Sequence, residues 1–147
     1  MSSNDKNNTN GNDAKPEPKC VPCESLDKSM LLKSGDELKE KISTSIPLWT
    51  LSSTGDVNKI TRKFTAKNFQ AALNFLNEVG QIAEREGHHP DLHLTSYRDV
   101  EVTLFTHSVG GLTQNDIGLA EMIDKEVKVS YSPKFLRENP EVQGTAL

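Results

Sequence analysis

Apolar residues recur along the chain with two different periods, and the change from one to the other predicts a mixed fold. Steps of three and four residues dominate from Ala66 to Glu86, which predicts one long amphipathic helix. This helix should end at Gly87, because glycine accepts the left-handed conformation that terminates helices, and Pro90 cannot continue one. Its apolar stripe is expected to comprise Phe69, Ala72, Leu73, Leu76, Val79 and Ala83.

Alternation of apolar and polar residues on either side of this helix predicts two β-hairpins. The first occupies residues 49–64, with a loop of several residues at 52–56. The second pairs residues 92–97 with residues 100–107. Valines alternate with polar residues in its last strand. If the valine side faces the helices, His107 points from the opposite face of the sheet or from its edge.

Two shorter helices are predicted at the ends of the folded region. Capping-box spacing, in which Ser or Thr is followed three residues later by an acid, occurs at Ser34-Gly35-Asp36-Glu37 and at Thr113-x-x-Asp116. The order is therefore helix, hairpin, long helix, hairpin, helix. Two hairpins make an antiparallel sheet, and amphipathic helices must cover one of its faces, so the sequence predicts an α+β fold.

The two ends of the chain differ in composition from this middle region. Residues 1–24 are predicted to be a disordered leader, since Ala14 is the only apolar residue among positions 2 to 19. The leader has no apolar targeting segment, and the first arginine of the chain is Arg62, so we expect the cytoplasm, with the nucleus as a second compartment. The folded domain is expected at 25–131, followed by a loose tail at 132–147.

Charge and cysteine content narrow the classes of partner. Seventeen Lys and Arg against 21 Asp and Glu give a net charge of −4, which offers no basic surface for nucleic acid or for an anionic membrane. No run of about 18 apolar residues exists to span a bilayer. Cys20-Val21-Pro22-Cys23 fits a redox pair, half of a zinc site shared between chains, or an unpartnered pair; the last is favoured, because no βαβ unit accompanies it.

Candidate chemistry is concentrated in one short stretch that holds all four histidines: His88, His89, His93 and His107. Imidazole both donates and accepts protons near neutral pH, so the stretch is a candidate proton-transfer site. Glu84 precedes His88 by one helical turn and could orient it if the two touch.

Three plainer explanations compete with a proton-transfer site. The histidines could be surface residues clustered by chance. They could bind a metal, although Pro90 between His89 and His93 disrupts the helical spacing that a zinc site of this kind needs. Asp116 is explained equally well as a helix-capping residue.

A longer spaced pattern passes through the same stretch. It consists of Glu84, His88-His89-Pro90, Tyr97, His107 and Asp116, set within the runs G-H-H-P-D-L and H-x-V-G-G-L-T-x-N-D. Trp49, Ile60, Phe64 and Phe69 add matching positions upstream. From about Leu48 to Lys128 this pattern resembles the pterin-4a-carbinolamine dehydratase family, in a long form with an N-terminal leader.

The resemblance implies an activity and a role for each residue. Members dehydrate 4a-hydroxytetrahydropterin to quinonoid dihydropterin, without metal or organic cofactor, and so recycle the cofactor of aromatic amino acid hydroxylases. By resemblance, His88 and His107 form the acid–base pair, and His89 binds and polarises the pterin. The remaining site residues complete the substrate-binding set, with Glu84 supporting His88 and the other two behind the histidines: Glu84, Thr106 and Asp116.

The resemblance also implies an architecture and partners. The family fold is a four-stranded antiparallel sheet covered on one face by three helices, and it assembles as homodimers or homotetramers. Some members also act as dimerisation cofactors of a homeodomain transcription factor, so a non-enzymatic adaptor or assembly chaperone is the alternative function. A pterin is the expected small-molecule partner, and neither nucleic acid nor membrane is expected to bind directly.

Overall fold

Two β-hairpins connected by a long helix build one antiparallel sheet. The computed structural model describes residues 20–21 and 25–145, and within them the sheet has four strands in the order β1-β2-β4-β3. The strands are β1 Thr50–Thr54, β2 Val57–Thr65, β3 Asp91–Thr95 and β4 Asp99–Leu104. The helices are α1 Asp36–Ser45, α2 Phe69–Glu86, α3 Gln114–Glu126 and α4 Pro133–Glu138, with short 3₁₀ helices at Lys28–Met30 and Pro140–Thr145.

One face of this sheet carries the core, and the other is polar. Alternate residues of β2 and β4 point towards the helices and are buried, as the valine alternation predicts. On the opposite face Lys63 and Glu101 are direct cross-strand neighbours. The predicted α+β fold is therefore confirmed. The core includes Ile60, Phe64, Val100, Val102 and Leu104 from the sheet and Ala72, Val79, Ile117 and Ile123 from the helices.

The first hairpin is tighter than the sequence suggests. Thr54 pairs with Val57, so Gly55 and Asp56 alone make the turn, and Gly55 has a φ of 63°. The expectation of a loop of several residues is therefore wrong. The polar side chains near the turn pair with each other, since Ser53 donates to Asn58 at 2.6 Å. Because these two polar side chains pair across the strands, the polar residues next to the turn can remain in β conformation.

The long helix ends as predicted, but its buried stripe differs. Gly87 lies in the left-handed region, with φ 66°, and its N–H bonds to the Ala83 carbonyl. Phe69, expected in the stripe, is 50% exposed at the first turn, whereas Phe75 is buried and meets Phe64 edge to face at 4.7 Å. Apolar residues lie on more than one side of this helix, so their spacing alone does not determine which stripe is buried. Packing against the rest of the fold determines it.

The two predicted capping boxes have different outcomes. At α3 the box forms, with Thr113 and Asp116 each accepting from the other's backbone N–H. At α1 it does not form, because the N-cap is Gly35, which has no side chain to accept a bond. The Ser34 hydroxyl instead accepts from the Asn58 amide at 2.6 Å.

The segment after Tyr131 is ordered against the core, contrary to the predicted loose tail at 132–147. Ser132 is buried and caps α4 by accepting from the Phe135 N–H. Pro133 occupies the first turn of α4, where its missing N–H costs nothing, so it starts a helix rather than breaking one. Val142 is also buried. Residues 146 and 147 lie outside the described part of the chain.

A buried polar network fastens this C-terminal segment. The Arg62 guanidinium is 4% exposed and donates to Asp124 at 2.7 Å and to the Tyr131 hydroxyl at 2.6 Å. The Trp49 indole N–H also donates to Asp124. Burial raises the pKa of the Asp124 carboxyl, while the Arg62 charge and the Trp49 hydrogen bond act in the opposite direction. The Tyr131 hydroxyl thus accepts from one terminal nitrogen of the buried Arg62 guanidinium, and Asp124 accepts from the other.

The predicted leader lies mostly outside the described residues, Cys23 included. Two of its residues are described, and they contact the domain: Cys20 is buried, and Val21 exchanges two backbone hydrogen bonds with the Asn115 side chain, at 3.0 and 2.7 Å. The leader is therefore attached to the start of α3 at this point. None of the described helices is both long and apolar enough to cross a membrane.

Candidate functional site

The centre of the site is a buried imidazole–carboxylate pair. His88 follows Gly87, whose left-handed backbone turns the chain back towards the core at the end of α2. Asp116 lies in the first turn of α3. The His88 Nε2 is 2.6 Å from Asp116 Oδ1, and the two side chains are 4% and 0% exposed. A carboxylate can only accept hydrogen bonds, so it orients the ring and fixes which nitrogen faces it.

The second oxygen of Asp116 is held by two further donors. Oδ2 accepts from the Thr113 backbone N–H and from the Thr106 hydroxyl, both at 2.9 Å. The two threonine hydroxyls also lie 2.8 Å apart. Thr106 and Asp116 are buried, so they have no surface to offer a substrate. Asp116 lies directly behind His88 and Thr106 lies behind Asp116, which are the positions that the resemblance implies for them.

His89 and Glu84 form a second pair, on the surface. The His89 Nε2 lies 2.8 Å from Glu84 Oε1, with 62% and 80% of the side chains exposed. The expectation that Glu84 supports His88 is therefore wrong. Because Gly87 turns His88 inward, the next residue returns along the last turn of α2, where Glu84 projects. The pair lies in a cleft of about 710 Å³ lined also by Asn77, Gly80, Gln81, Ala83, Pro90 and Leu92.

His107 lies beyond the end of β4 and is also exposed. Its ring centroid is 4.0 Å from that of Phe105, and its Nε2 is 3.8 Å from Asp91 Oδ1. Asp91 is opposite Thr103 on the polar face of the sheet, so His107 belongs to that side, as the alternation predicts. Asp91 and Phe105 are not among the site residues predicted from the sequence, although Asp91 lies within the G-H-H-P-D-L run and Phe105 precedes His107 by the two-residue step of a strand.

The structure gathers these groups around one short segment, residues 88–91. His88 reaches Asp116 in the interior, His89 reaches Glu84 on α2, and Asp91 reaches His107. The cleft that contains His89 is not lined by His88 or His107.

His93 lies across from Glu101 on the polar sheet face, within β3, and stays outside the candidate set. Among residues 20–21 and 25–145, no group of three or more His, Cys, Asp and Glu side chains is arranged to hold a metal ion.

Chemically, the arrangement is suited to proton transfer. An imidazole oriented by a buried carboxylate is a common form of general base or acid, because the partner fixes both tautomer and direction. Two exposed imidazoles, each beside a carboxylate, lie on the same segment or in contact with it. Each of these imidazoles can accept or donate a proton near neutral pH.

The chain matches a family of known proteins. The family model described as Pterin 4 alpha carbinolamine dehydratase matches residues 32–126. A protein of Chlorobaculum tepidum named putative pterin-4-alpha-carbinolamine dehydratase is 45% identical over 108 residues, covering 74% of this chain and 93% of that protein. The mitochondrial pterin-4-alpha-carbinolamine dehydratase 2 of Arabidopsis thaliana is 41% identical over 108 residues; the match covers 73% of this chain and only 56% of that relative.

A solved structure agrees in fold. The crystal structure of a transcriptional coactivator/pterin dehydratase from Brucella melitensis superposes with a TM-score of 0.53 at 29% identity, covering 64% of this chain and 97% of that one. The C-terminal residues after 126 lie beyond the family match.

Proposed function

The chain belongs to the pterin-4-alpha-carbinolamine dehydratase family, a family of hydro-lyases, and from that membership together with the site we propose that it dehydrates 4a-hydroxytetrahydropterin to quinonoid dihydropterin. In this reaction the 4a carbon loses its hydroxyl group and N5 loses a proton, so one water molecule leaves. Hydroxide is a poor leaving group, and the reaction therefore needs an acid at the hydroxyl and a base at N5.

The imidazoles supply both functions in the proposal. His107 and His88 form the acid–base pair, and His89 binds and polarises the pterin ring. Because the His88 side chain is 4% exposed, its contact with substrate is confined to one edge of the ring. Asp116 and Thr106 fix that ring, and Glu84 orients His89.

One observation carries the proposal: the 2.6 Å contact between His88 and the fully buried Asp116. A buried carboxylate held by three donors is costly to maintain unless every bond is made, and here each oxygen is satisfied. A helix cap alone needs only the contacts of Oδ2. The bond from Oδ1 to the His88 imidazole is not needed by the cap, and it supports the proposal because it orients a ring that can transfer protons.

The test is the rate of dehydration of 4a-hydroxytetrahydropterin, followed spectroscopically against the spontaneous rate. His107→Gln should lower kcat by about 100-fold or more, the usual size of a general acid–base contribution. His93→Gln is the matched control, because it removes another exposed imidazole from the polar sheet face and should leave kcat unchanged. Wild-type protein that does not exceed the spontaneous rate, or equal effects of the two variants, would refute the proposal.

A second candidate function is that of a non-enzymatic adaptor. The Brucella melitensis protein is described as a transcriptional coactivator as well as a pterin dehydratase, which motivates the alternative. An adaptor has no chemical need for the His88–Asp116 pair. Two results together would favour the adaptor. Wild-type protein would not accelerate dehydration, and the His107→Gln variant would still bind its transcription factor.

Assembly as a homodimer or homotetramer is part of the proposal. Within the described sheet, β1 and β3 are edge strands, and Leu92 in β3 and Tyr97 after it are exposed. Exposed strand edges and apolar side chains favour association. Light scattering after size-exclusion chromatography should give a mass of two or four chains, and a mass equal to the 16.3 kDa monomer would contradict it.

The cytoplasm is the proposed compartment. Residues 1–19 contain no arginine and only one apolar residue after the first, which is unlike an organellar targeting peptide. The Arabidopsis thaliana relative is named mitochondrial, so mitochondria are the alternative compartment. Fractionation of cells that express the full chain with a C-terminal tag should recover it in the cytosol, and recovery in mitochondria would overturn this assignment.

A further inference from the structure

Two side chains, those of Phe105 and Asp91, lie beside the His107 imidazole. The imidazole lies against the Phe105 ring, with centroids 4.0 Å apart and planes tilted by 45°. Its Nε2 is 3.8 Å from Asp91 Oδ1. The Lys59 ammonium lies over the Phe105 ring, 4.3 Å from its centroid. The imidazole therefore has an aromatic neighbour and an acidic one.

Strand geometry explains why these groups meet. Asp91 is the first residue of β3 and pairs with Thr103 in β4, so its side chain projects from the polar face of the sheet. Phe105 and His107 follow Thr103 at steps of two and continue on that face. Asp91 also comes one residue after His89-Pro90. The carboxylate that reaches His107 is thus attached to the segment that carries the other two catalytic imidazoles.

An exposed imidazole needs such support to act in one orientation. With 64% of the His107 side chain exposed, rotation about its side-chain bonds and exchange between its two neutral tautomers are both open to it. Phe105 restricts the rotation by occupying one side of the ring. Asp91 favours a proton on the nitrogen nearest to it, Nε2. At 3.8 Å this contact is an electrostatic attraction rather than a hydrogen bond, and an exposed contact of that kind shifts such an equilibrium by no more than about fivefold.

We propose that Asp91 is a positioning residue for His107, which selects the ring orientation and the Nε2-protonated tautomer that the dehydration uses. The inference rests on the proposed role of His107 in proton transfer. It adds a carboxylate partner for the third imidazole, so that each of the three catalytic histidines has one: Asp116, Glu84 and Asp91.

The experiment compares three variants of the full chain with wild type. Asp91→Asn removes the charge and keeps the shape, and Asp91→Glu restores the charge. The matched control is Asp99→Asn, which removes another exposed aspartate at the far end of the same strand pair, where it accepts from Thr65. The readouts are kcat and KM for dehydration, and the His107 tautomer from long-range ¹H–¹⁵N NMR, with His107 assigned by its loss in His107→Gln.

Asp91→Asn should lower kcat by about two- to fivefold with KM unchanged, matching the bias that an exposed pair supplies. It should also reduce the Nε2-protonated fraction of His107. Asp91→Glu should recover most of both effects, and Asp99→Asn should show neither.

The inference is overturned if Asp91→Asn leaves kcat and the tautomer as in wild type, if it raises KM alone, or if Asp91→Glu fails to recover. It is equally overturned if Asp99→Asn has the same effect. Wild-type protein without dehydratase activity would instead refute the proposed function, and the NMR comparison would still decide whether Asp91 controls the His107 ring.

Discussion

Replacing Asp116 by Asn tests the buried pair directly. An asparagine can keep an oxygen facing the two donors that bind Oδ2, the Thr113 N–H and the Thr106 hydroxyl. Its NH₂ group then faces the His88 Nε2, where the carboxylate oxygen lies at 2.6 Å. Two donors cannot face each other, so His88 must present an unprotonated Nε2 and move its proton to Nδ1. The ring keeps its place and changes its tautomer.

The magnitudes follow from this exchange. Hydrogen bonds to a charged group contribute about 1.5–3 kcal/mol each and neutral ones about 0.5–1.5, so weakening the two bonds at Oδ2 should cost about 2 kcal/mol of unfolding free energy. A wrong tautomer is more costly for turnover: the same Asp→Asn change in a Ser-His-Asp triad lowers kcat by about 10⁴-fold. We expect a loss of about 10²–10⁴-fold in Asp116→Asn.

Urea unfolding, dehydration kinetics and long-range ¹H–¹⁵N NMR of His88 measure the three effects. The matched control is Asp124→Asn, which alters a second carboxylate of α3, about two helical turns further along and bonded to Arg62 and Trp49 instead of His88. It should destabilise the protein and leave kcat of the folded protein unchanged. The reasoning is refuted if Asp116→Asn turns over like wild type, or if it loses activity while His88 keeps its tautomer.

Three smaller changes test other parts of the structure. Tyr131→Phe removes an acceptor of buried Arg62 and should lower the free energy of unfolding in urea by about 1–2 kcal/mol; no change would mean that the C-terminal segment does not depend on this bond. Glu84→Gln should lower kcat/KM by less than about fivefold, because its pair with His89 is exposed, and a larger loss would show direct contact with substrate. Gly87→Ala should cost about 1–2 kcal/mol in thermal unfolding, since its φ is 66°, and an unchanged Tm would contradict the strain.

Local sequence signals predict the elements that depend on neighbouring residues. The apolar spacing of α3 and its capping box at Thr113 are both present in the structure. The end of α2 at Gly87 is also confirmed. These features depend on contacts within a few residues, where spacing and side-chain chemistry determine geometry.

Features that depend on tertiary packing were less predictable. The sequence places Glu84 one turn before His88, which suggests a contact, yet the left-handed backbone at Gly87 directs His88 inward and leaves Glu84 beside His89. Spacing along a helix does not extend past a residue that reverses the chain. Likewise Phe69 and Phe75 both fit an apolar stripe, and only packing against the sheet decides that Phe75 is buried.

The C-terminal segment could not be predicted from its composition. Prolines at 133 and 140 suggest an irregular tail, but each lies in the first turn of a short helix, where proline is tolerated. The stabilising contact is a hydrogen bond between Tyr131 and Arg62, which are 69 residues apart in sequence. A buried arginine in a strand gives no sign of its partner, because its requirement can be met by any acceptor that the fold brings near.

Asp116 shows that a capping role and a functional role are compatible in one side chain. The cap uses Oδ2, which accepts from the Thr113 N–H, and leaves Oδ1 for His88. The cap therefore holds the carboxylate at a defined angle, because the helix start cannot move without breaking its own first hydrogen bonds. An imidazole bonded to that carboxylate is positioned by the backbone of α3 rather than by a flexible side chain. The two roles can be separated by Thr113→Ala, which removes the hydroxyl half of the cap but keeps the Thr113 N–H bond to Asp116, and which should lower stability while the His88 tautomer stays unchanged.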